Sequence, residues 1–393
     1  MLELINKYVN KLISQGVCNI DTPVFGGLDA EIVWNRLSHR TKTLEKVIDG
    51  LNINSILFSK PAEPYASIIN FLSKTQESAI FPQDCETRTF LHDIPIVADF
   101  DSLKIIIALK KRKAAIIPNQ GIVTFGTVSP EQAFISYSSV CFSCFVKFFT
   151  DYYKDIKLQK QTNEQNKIFK KAFDIYYKFI KNYKNSTNCI KGPFKDTETT
   201  IKAMIQAGKL VVDYRLVDSF FGNISYKLKD KIYISQTTSS LDELAGCIDP
   251  CPIDNSSCTA LTASSELSAH KDALLNSDNK AILHGHPKFS VIMSMLCDKE
   301  EVCNKFGECH IKCPKKRFVK DIPIVPGEVG TGKYGLSNTL PPAIKGNRGA
   351  IVYGHGLFTV GKNDFSDAFN NLLKIEKMCI DEYRSTIKRL REG

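Results

Sequence analysis

At 393 residues and 44.1 kDa the chain exceeds an ordinary single domain, and 43% hydrophobic with 24% charged residues excludes a disordered or low-complexity protein, so two folded domains are expected. The net charge of +10 is spread over dispersed lysines without interleaved aromatic rings, which argues against a nucleic-acid platform. No run of about 18 uncharged apolar residues marks a membrane span and the start has no secretory pattern. The thirteen cysteines therefore read as thiols of a reducing, cytoplasmic compartment.

The first segment, MLELINKYVNKLISQGV, has apolar residues at helical spacing. From Ile53, INSILFSKPAEPYASIINFL reads as a strand, a turn at Pro61 and a helix. DIPIVADFD follows from Asp93. From Lys111, KRKAAIIPNQGIVTFGTVSPEQAFISYSSVCFSC gives strand, glycine turn, strand and long helix, with Cys141 and Cys144 expected as small core side chains. A charged, tyrosine-rich stretch from Asp151 to Asn188 places Phe169, Phe173, Tyr176, Tyr177 and Ile180 at helical spacing, with a connection expected from Asn185 to Pro193.

The second half repeats this order. NKAILHGHPKFSVIMSML from Asn279 matches the segment from Ile53, DIPIVPGEV from Asp321 matches DIPIVADFD, and NRGAIVYGHGLFTVGKNDFSDAFNNLLKIEKMC from Asn347 matches the segment from Lys111. Three blocks in one order predict a duplicated domain. The expected division is 1–155 as a truncated, metal-free copy with no recognisable hairpin before Pro23, 156–190 as a helical connector, and 191–393 as the complete copy.

The candidate chemistry lies in the second copy. His284 and His286 stand two apart at a strand end, so their side chains share a face. His355 sits in a glycine-flanked turn after the strand AIVY. Three imidazoles leave an open position, the pattern of a catalytic rather than a structural ion, and zinc suits them best, with other divalent metals possible. The first copy has Phe58, Lys60 and Gln120 at these places, a poor ligand set. Glu266, in TASSELSAHKDAL at a helix start, is read as an acid/base or as an ordinary first-turn glutamate, and its counterpart falls near Arg40. His270, one turn on, is a candidate supporting partner or fourth ligand. LVDSFFGNISYKLKDKIYISQTTSS, from Leu216, supplies turn residues suited to an anion nest. Cys297, Cys303, Cys309 and Cys313, with His310, offer soft ligands for a second structural metal or an iron–sulfur cluster. Their spacing departs from that of a zinc ribbon, so thiols without a metal are the first reading.

From about Phe194 onward the chain resembles the class II aldolase/adducin family of sugar-phosphate aldolases, epimerases and dehydratases. FGNIS from Phe221, SSE ending at Glu266, HGHP from His284 and GHGLFTVG from Gly354 carry the resemblance. It implies an α/β fold of three layers, α/β/α, with a central, mainly antiparallel sheet, here duplicated. It also implies Zn2+ on His284, His286 and His355, Glu266 as acid/base, and a sugar-phosphate substrate gripped by Gly222, Asn223, Thr237, Thr238, Ser264 and Ser265. A homo-oligomer and a proton-donating tyrosine near the C terminus are implied too, for which Tyr383 is the candidate. The reaction implied is retro-aldol cleavage of a ketose phosphate, with dehydration, 4-epimerisation and an adducin-like interaction role as alternatives. Thr238 departs from the family pattern, which has glycine there.

Overall fold

Strands such as AAII and GAIV have no polar alternation, and a sheet built from them must be covered on both faces. That is how the chain folds. The computed structural model describes residues 1–183, 189–218, 220–305 and 307–392. The chain divides into two compact units, Met1–Lys178, called unit 1, and Phe179–Gly393, called unit 2.

Unit 1 runs α1 (Leu2–Ser14), β1 (Val24–Leu28), β2 (Ile32–Trp34), α2 (Thr41–Leu51), β3 (Ser55–Ser59), α3 (Tyr65–Thr75), β4 (Ala79–Ile80), α4 (Cys85–Leu91), β5 (Ile94–Pro95), α5 (Ser102–Leu109), β6 (Ala114–Ile117), β7 (Gly121–Gly126) and α6 (Pro130–Lys157). The division between units falls inside α7 (Asn163–Asn182). Unit 2 continues with α8 (Thr197–Asp213), β8 (Asn223–Leu228), β9 (Lys231–Ser235), β10 (Ile248–Pro252), α9 (Leu267–Leu275), β11 (Ala281–Gly285), α10 (Lys288–Met295), β12 (Arg317–Val319), β13 (Ile322–Val325), α11 (Leu336–Ile344), β14 (Gly349–Val352), β15 (Gly356–Gly361) and α12 (Phe365–Glu392). Side-chain caps fix several helix starts: Asp101 accepts from Lys104 N at 3.0 Å and Asp196 from Thr199 N at 2.8 Å.

The two sheets share a strand order. Unit 1 has β2-β1-β3-β7-β6 and unit 2 has β10-β9-β8-β11-β15-β14-β13-β12. The registers agree residue by residue. Ser55 pairs with Gly126 as Ala281 pairs with Gly361, and Ile117 pairs with Gly121 as Val352 pairs with Gly356. Even the parallel step recurs, because the Ile96–Ile116 bridge stands where Ile324 pairs with Ile351. All other ladders in both sheets are antiparallel. In unit 2, α9 and α11 cover one face, packing Ala269, Ala273, Leu336 and Leu340 against Ile282, Ala350 and Phe358, while α8, α10 and α12 cover the other. Unit 1 is layered the same way, with Leu44, Val47 and Ile105 of α2 and α5 on Ile56, Phe58, Ala115 and Val123, and α1, α3 and α6 opposite. These are α/β/α layers with a mainly antiparallel sheet.

Two expectations change. The hairpin that the sequence reading misses in unit 1 is present as β1 and β2, joined by a three-residue loop. It escapes pattern reading because β2 has only three residues, all half-buried, and Gly26 and Gly27 interrupt β1 where Trp34 and Met1 fill the space of a side chain. Among the described residues, what unit 1 lacks relative to unit 2 is a partner strand for β2 on its outer side, whereas β5 pairs with β4 as β13 pairs with β12. The expected 156–190 connector contains the end of α6 and all of α7, and the connection expected near Asn185 lies outside the described residues at 184–188. Helix α6 is long and apolar enough to cross a membrane by composition, but 94% of its apolar window is buried inside the protein, as befits a core helix.

Candidate metal centre

Strand β11 ends in His284 and Gly285, and alternation puts His284 and His286 on one face. The turn between β14 and β15 brings His355 to the same point. His284 Nε2 lies 3.0 Å from His286 Nε2 and 3.2 Å from His355 Nε2, and the three ligand atoms all fall within 4.8 Å of one another. Tetrahedral zinc with bonds of about 2.0–2.1 Å would hold its nitrogens roughly 3.3–3.4 Å apart, close to this spacing. The Nδ1–H of His284 donates to the Leu357 carbonyl at 3.3 Å, which fixes the tautomer and leaves Nε2 as the free lone pair. Glycines make the convergence possible. A Cβ on Gly356 would stand 2.6 Å from His284 Cε1, and one on Gly222, whose φ is +89°, would stand 2.5 Å from the His284 carbonyl oxygen.

Glu266 is the residue that precedes α9, and it joins this cluster. Its Oε1 is 3.2 Å from His355 Nε2 and its Oε2 is 3.7 Å from His284 Nε2. Asn223 Nδ2 donates to Oε2 at 2.6 Å and to Ser264 Oγ at 3.1 Å. Oε2 is therefore held. Oε1, though near His355, lacks hydrogen-bond geometry to any described group and is a buried acceptor without a partner.

Burial pushes the Glu266 carboxyl up, but His284, His355 and the Asn223 amide outweigh it and hold the group well below the usual carboxylate range. Burial dominates in the histidines, lowering His284 to about 3 despite Glu266 and driving His286 well below its ordinary value. At neutral pH Glu266 is thus ionised and His284 and His286 are neutral, so the site holds a buried carboxylate with one oxygen that lacks a hydrogen-bond partner. A dry site of this kind is costly unless a cation neutralises it. The donor set and the orphaned oxygen both fit a divalent metal.

The remaining predicted residues divide into those brought together and those kept apart. Gly222 and Asn223 lie beside Ser264, Ser264 N donates to the Ser235 carbonyl at 3.0 Å, and Thr237 N donates to the Thr262 carbonyl at 3.0 Å. The loops bearing Thr237, Thr238, Ser264 and Ser265 are consequently adjacent, with Thr237, Thr238 and Ser265 exposed. Thr238 adopts φ +61°, a left-handed conformation that suits glycine and strains a β-branched residue. His270 does not join the triad. Its Nδ1 is 2.7 Å from Ser225 Oγ, burial lowers it to about 4, and its ring meets the edge of Phe358.

Tyr383 lies in the core, fully buried with its ring 5.2 Å from that of Phe289, so it is not presented at a surface where another subunit could use it. Its place at every third or fourth apolar position of α12 is that of a packing residue. The alternative of a second metal at the cysteines gains no support. Cys297, Cys303 and Cys313 are half-buried and Cys309 buried, all as free thiols, and among the described residues the histidine triad is the one group with metal-ligand spacing. The segment carrying them has a short 3-10 turn at Glu300–Val302, and burial first, then the nearness of Cys313 and Cys297, raises the Cys309 thiol, yet among the described residues the thiols do not reach metal-ligand spacing.

Sequence reading missed Phe358, stacked on His284 at 3.9 Å between ring centroids, and the Asn223–Glu266 contact. The first was visible only as an apolar strand residue. The second joins positions 43 apart through a β8–β11 pairing that sets Asn223 opposite His284.

Residues 202–381 match the family model described as Class II Aldolase and Adducin N-terminal domain. No curated protein matches the chain. Among solved structures, L-fuculose-1-phosphate aldolase from Thermus thermophilus is similar at 17% identity over 49% of this chain and 95% of that one, with a TM-score of 0.37. A sugar-phosphate aldolase from Thermotoga maritima is 16% identical over 49% and 96%, TM-score 0.35. The N-terminal class II aldolase domain of a conserved protein from Thermoplasma acidophilum is 13% identical over 49% and 99%, TM-score 0.34. A class II aldolase/adducin-like domain thus makes up about half of the chain.

Proposed function

We propose that unit 2 is a metal-dependent lyase that cleaves a ketose phosphate by retro-aldol chemistry to dihydroxyacetone phosphate and an aldehyde, with zinc held by His284, His286 and His355. The observation that carries this reading is the buried convergence of three Nε2 atoms beside a carboxylate with one held and one free oxygen. When bound, the ion supplies Lewis-acid polarisation of a substrate carbonyl. The chain's own residues do the rest. Asn223 fixes the rotation of the Glu266 carboxylate through Oε2, so that Oε1 is the atom that takes a proton from, or returns it to, the substrate carbon. The depressed carboxyl keeps Glu266 in its accepting form at neutral pH, and burial keeps water from competing. The exposed turn residues Thr237, Thr238 and Ser265, with Gly222 and Ser264, are the proposed grip on the substrate phosphate, where backbone N–H groups and hydroxyls suit an anion.

Dehydration is the second reading, favoured by the burial of Tyr383. Cleavage needs an acceptor for the proton of the hydroxyl whose oxygen becomes the aldehyde carbonyl, and the chain's candidate for it is enclosed in the core. We propose in addition that unit 1 is a copy of the same domain that has lost the metal site, a reading supported by the matching registers of the two sheets. The test is a product-resolved screen of ketose phosphates with metal-loaded protein. Two carbonyl fragments support the lyase, release of water with the carbon skeleton intact supports the dehydratase, and no conversion by wild type or equal conversion by wild type and His284→Ala removes the enzymatic reading.

A further inference from the structure

Helix α10 is tied to two of the three histidines. It starts directly after His286 and Pro287, and near its other end Ser294 Oγ accepts the Gly354 N–H at 2.9 Å, one residue before His355, while donating to the Val291 carbonyl at 2.6 Å. Among the described residues His286 Nδ1 is buried without a hydrogen-bond partner, whereas His284 Nδ1 is held by the Leu357 carbonyl. The His286 ring therefore takes its place from its backbone and its packing, and where α10 sits decides where two imidazoles meet the third.

The start of α10 is not anchored from within. The first N–H groups of a helix have no partner in it, and Pro287 at the N-cap has no side-chain acceptor to offer them. Glu376 of α12 supplies the acceptors. The Phe289 N–H donates to its Oε1 at 2.9 Å, and the N–H and hydroxyl of Ser290 both donate to its Oε2 at 2.8 Å. Glu376 is fully buried, a costly place for a carboxylate, and these donors with the positive end of the helix dipole offset that cost. Both oxygens are engaged, so the helix is fixed in rotation as well as in position. A second tie acts on the same turn. Buried Lys288 pairs with Asp218 at 2.5 Å, on the segment whose Phe221 ring stacks on His286 with 5.3 Å between centroids.

Unit 1 lacks this anchor. Gly126 pairs with Ser55 as Gly361 pairs with Ala281, and α6 and α12 each begin four residues later, at Pro130 and Phe365. In that register Cys141, a buried thiol, stands where α12 has Glu376. The carboxylate is missing from the unit that lacks the histidines.

We propose that Glu376 is a positioning residue of the metal centre, fixing α10 and through it His286 and His355. The proposal rests on the metal-centre reading of unit 2, not on the reaction assigned to it.

The test compares the full-length wild type with Glu376→Gln, Ser294→Ala and Ile387→Ala, reading zinc affinity by competition with a chromophoric chelator and the visible ligand-field bands of the cobalt-loaded chain, with folding checked by circular dichroism. Glu376→Gln keeps the side chain's shape but turns an amide NH2 toward an N–H donor. Zinc affinity is expected to fall by about tenfold to a hundredfold, and the cobalt bands to shift. Ser294→Ala frees Gly354 alone and should weaken zinc by about tenfold or less. Ile387→Ala, about three turns farther along α12, opens a cavity that lowers stability but should leave affinity and bands as in wild type. Wild-type affinity and bands in Glu376→Gln, or an equal loss in Ile387→Ala, would overturn the assignment. If Glu376→Gln does not fold, wild-type affinity and bands in Ser294→Ala would overturn it. Wild type that takes up neither ion would remove the metal centre and this assignment together, a result distinct from equal uptake by all variants.

Discussion

Strands β3 and β11 occupy the same place in two sheets of the same order, are flanked by helices on the same faces, and differ in what their last residues do. In unit 2 the next-to-last residue of the strand is a histidine that stacks on Phe358 and points Nε2 at two other imidazoles. In unit 1 it is Phe58, whose ring lies against Arg40. The residue opposite on the neighbouring strand is Asn223 in one case and Val24 in the other. Backbone layers and core packing therefore tolerate complete exchange of the polar set at the strand ends, and the lesson is that the site, not the sheet, separates the two units.

The sharpest way to break this comparison is Glu266→Gln. It keeps the shape of the side chain, so metal content should stay near wild type, while turnover of an identified substrate falls by about 10^3-fold, the scale of losing a general acid/base. Asn223→Val, which copies unit 1, should cost less, on the order of tenfold to a hundredfold, because Glu266 keeps its position but loses the donor that orients Oε2. Equal activity in both variants would detach the carboxylate from catalysis.

Acid separates the units next. His270 is fully buried and lowered to about 4, so the unfolded chain binds the proton first as pH drops below its ordinary value of 6.5. The stability due to its neutral form is whole above pH 6.5 and lost as pH falls toward 4, on the order of 3 kcal/mol. The histidines of unit 1, His39 and His92, are exposed. Hydrogen exchange of metal-free protein from about pH 7 to about pH 4 should show protection declining in β8, β11 and α9 before β3 and β7. Simultaneous loss in both sheets would contradict the assignment.

Gly356→Ala and Gly121→Ala form a matched pair. The added methyl meets His284 Cε1 at 2.6 Å in the first case and the Ser59 carbonyl oxygen at 2.4 Å in the second, so each should destabilise its unit by about 1–3 kcal/mol in chemical unfolding. Only Gly356→Ala should also lower metal content. Thr238→Gly is the smallest test. Relief of the left-handed strain should raise the stability of unit 2 by about 1 kcal/mol, read as a shift in its unfolding midpoint.

The sequence carried the triad and the strand-to-strand correspondences because both rest on local pattern: HxH on one strand face, a glycine-flanked histidine in a turn, and the two DIPIV segments. Arg40 as the counterpart of Glu266 was legible for the same reason, each residue directly preceding a helix. The β1–β2 hairpin was not, since three half-buried residues give no period. Tyr383 was misplaced because its chemistry can be read from sequence and its burial cannot, although the apolar stripe of α12 was a signal. The thiols of 297–313 had suggestive composition, but among the described residues they stop short of metal-ligand spacing, which composition cannot reveal.

The central claim is that one divalent ion belongs to unit 2 alone. Zinc content of the desalted, zinc-loaded chain, measured per chain by elemental analysis for wild type and His284→Ala, tests it most directly. About one ion in wild type and essentially none in a folded His284→Ala is the predicted result; two ions in wild type, or one retained by the variant, would contradict it.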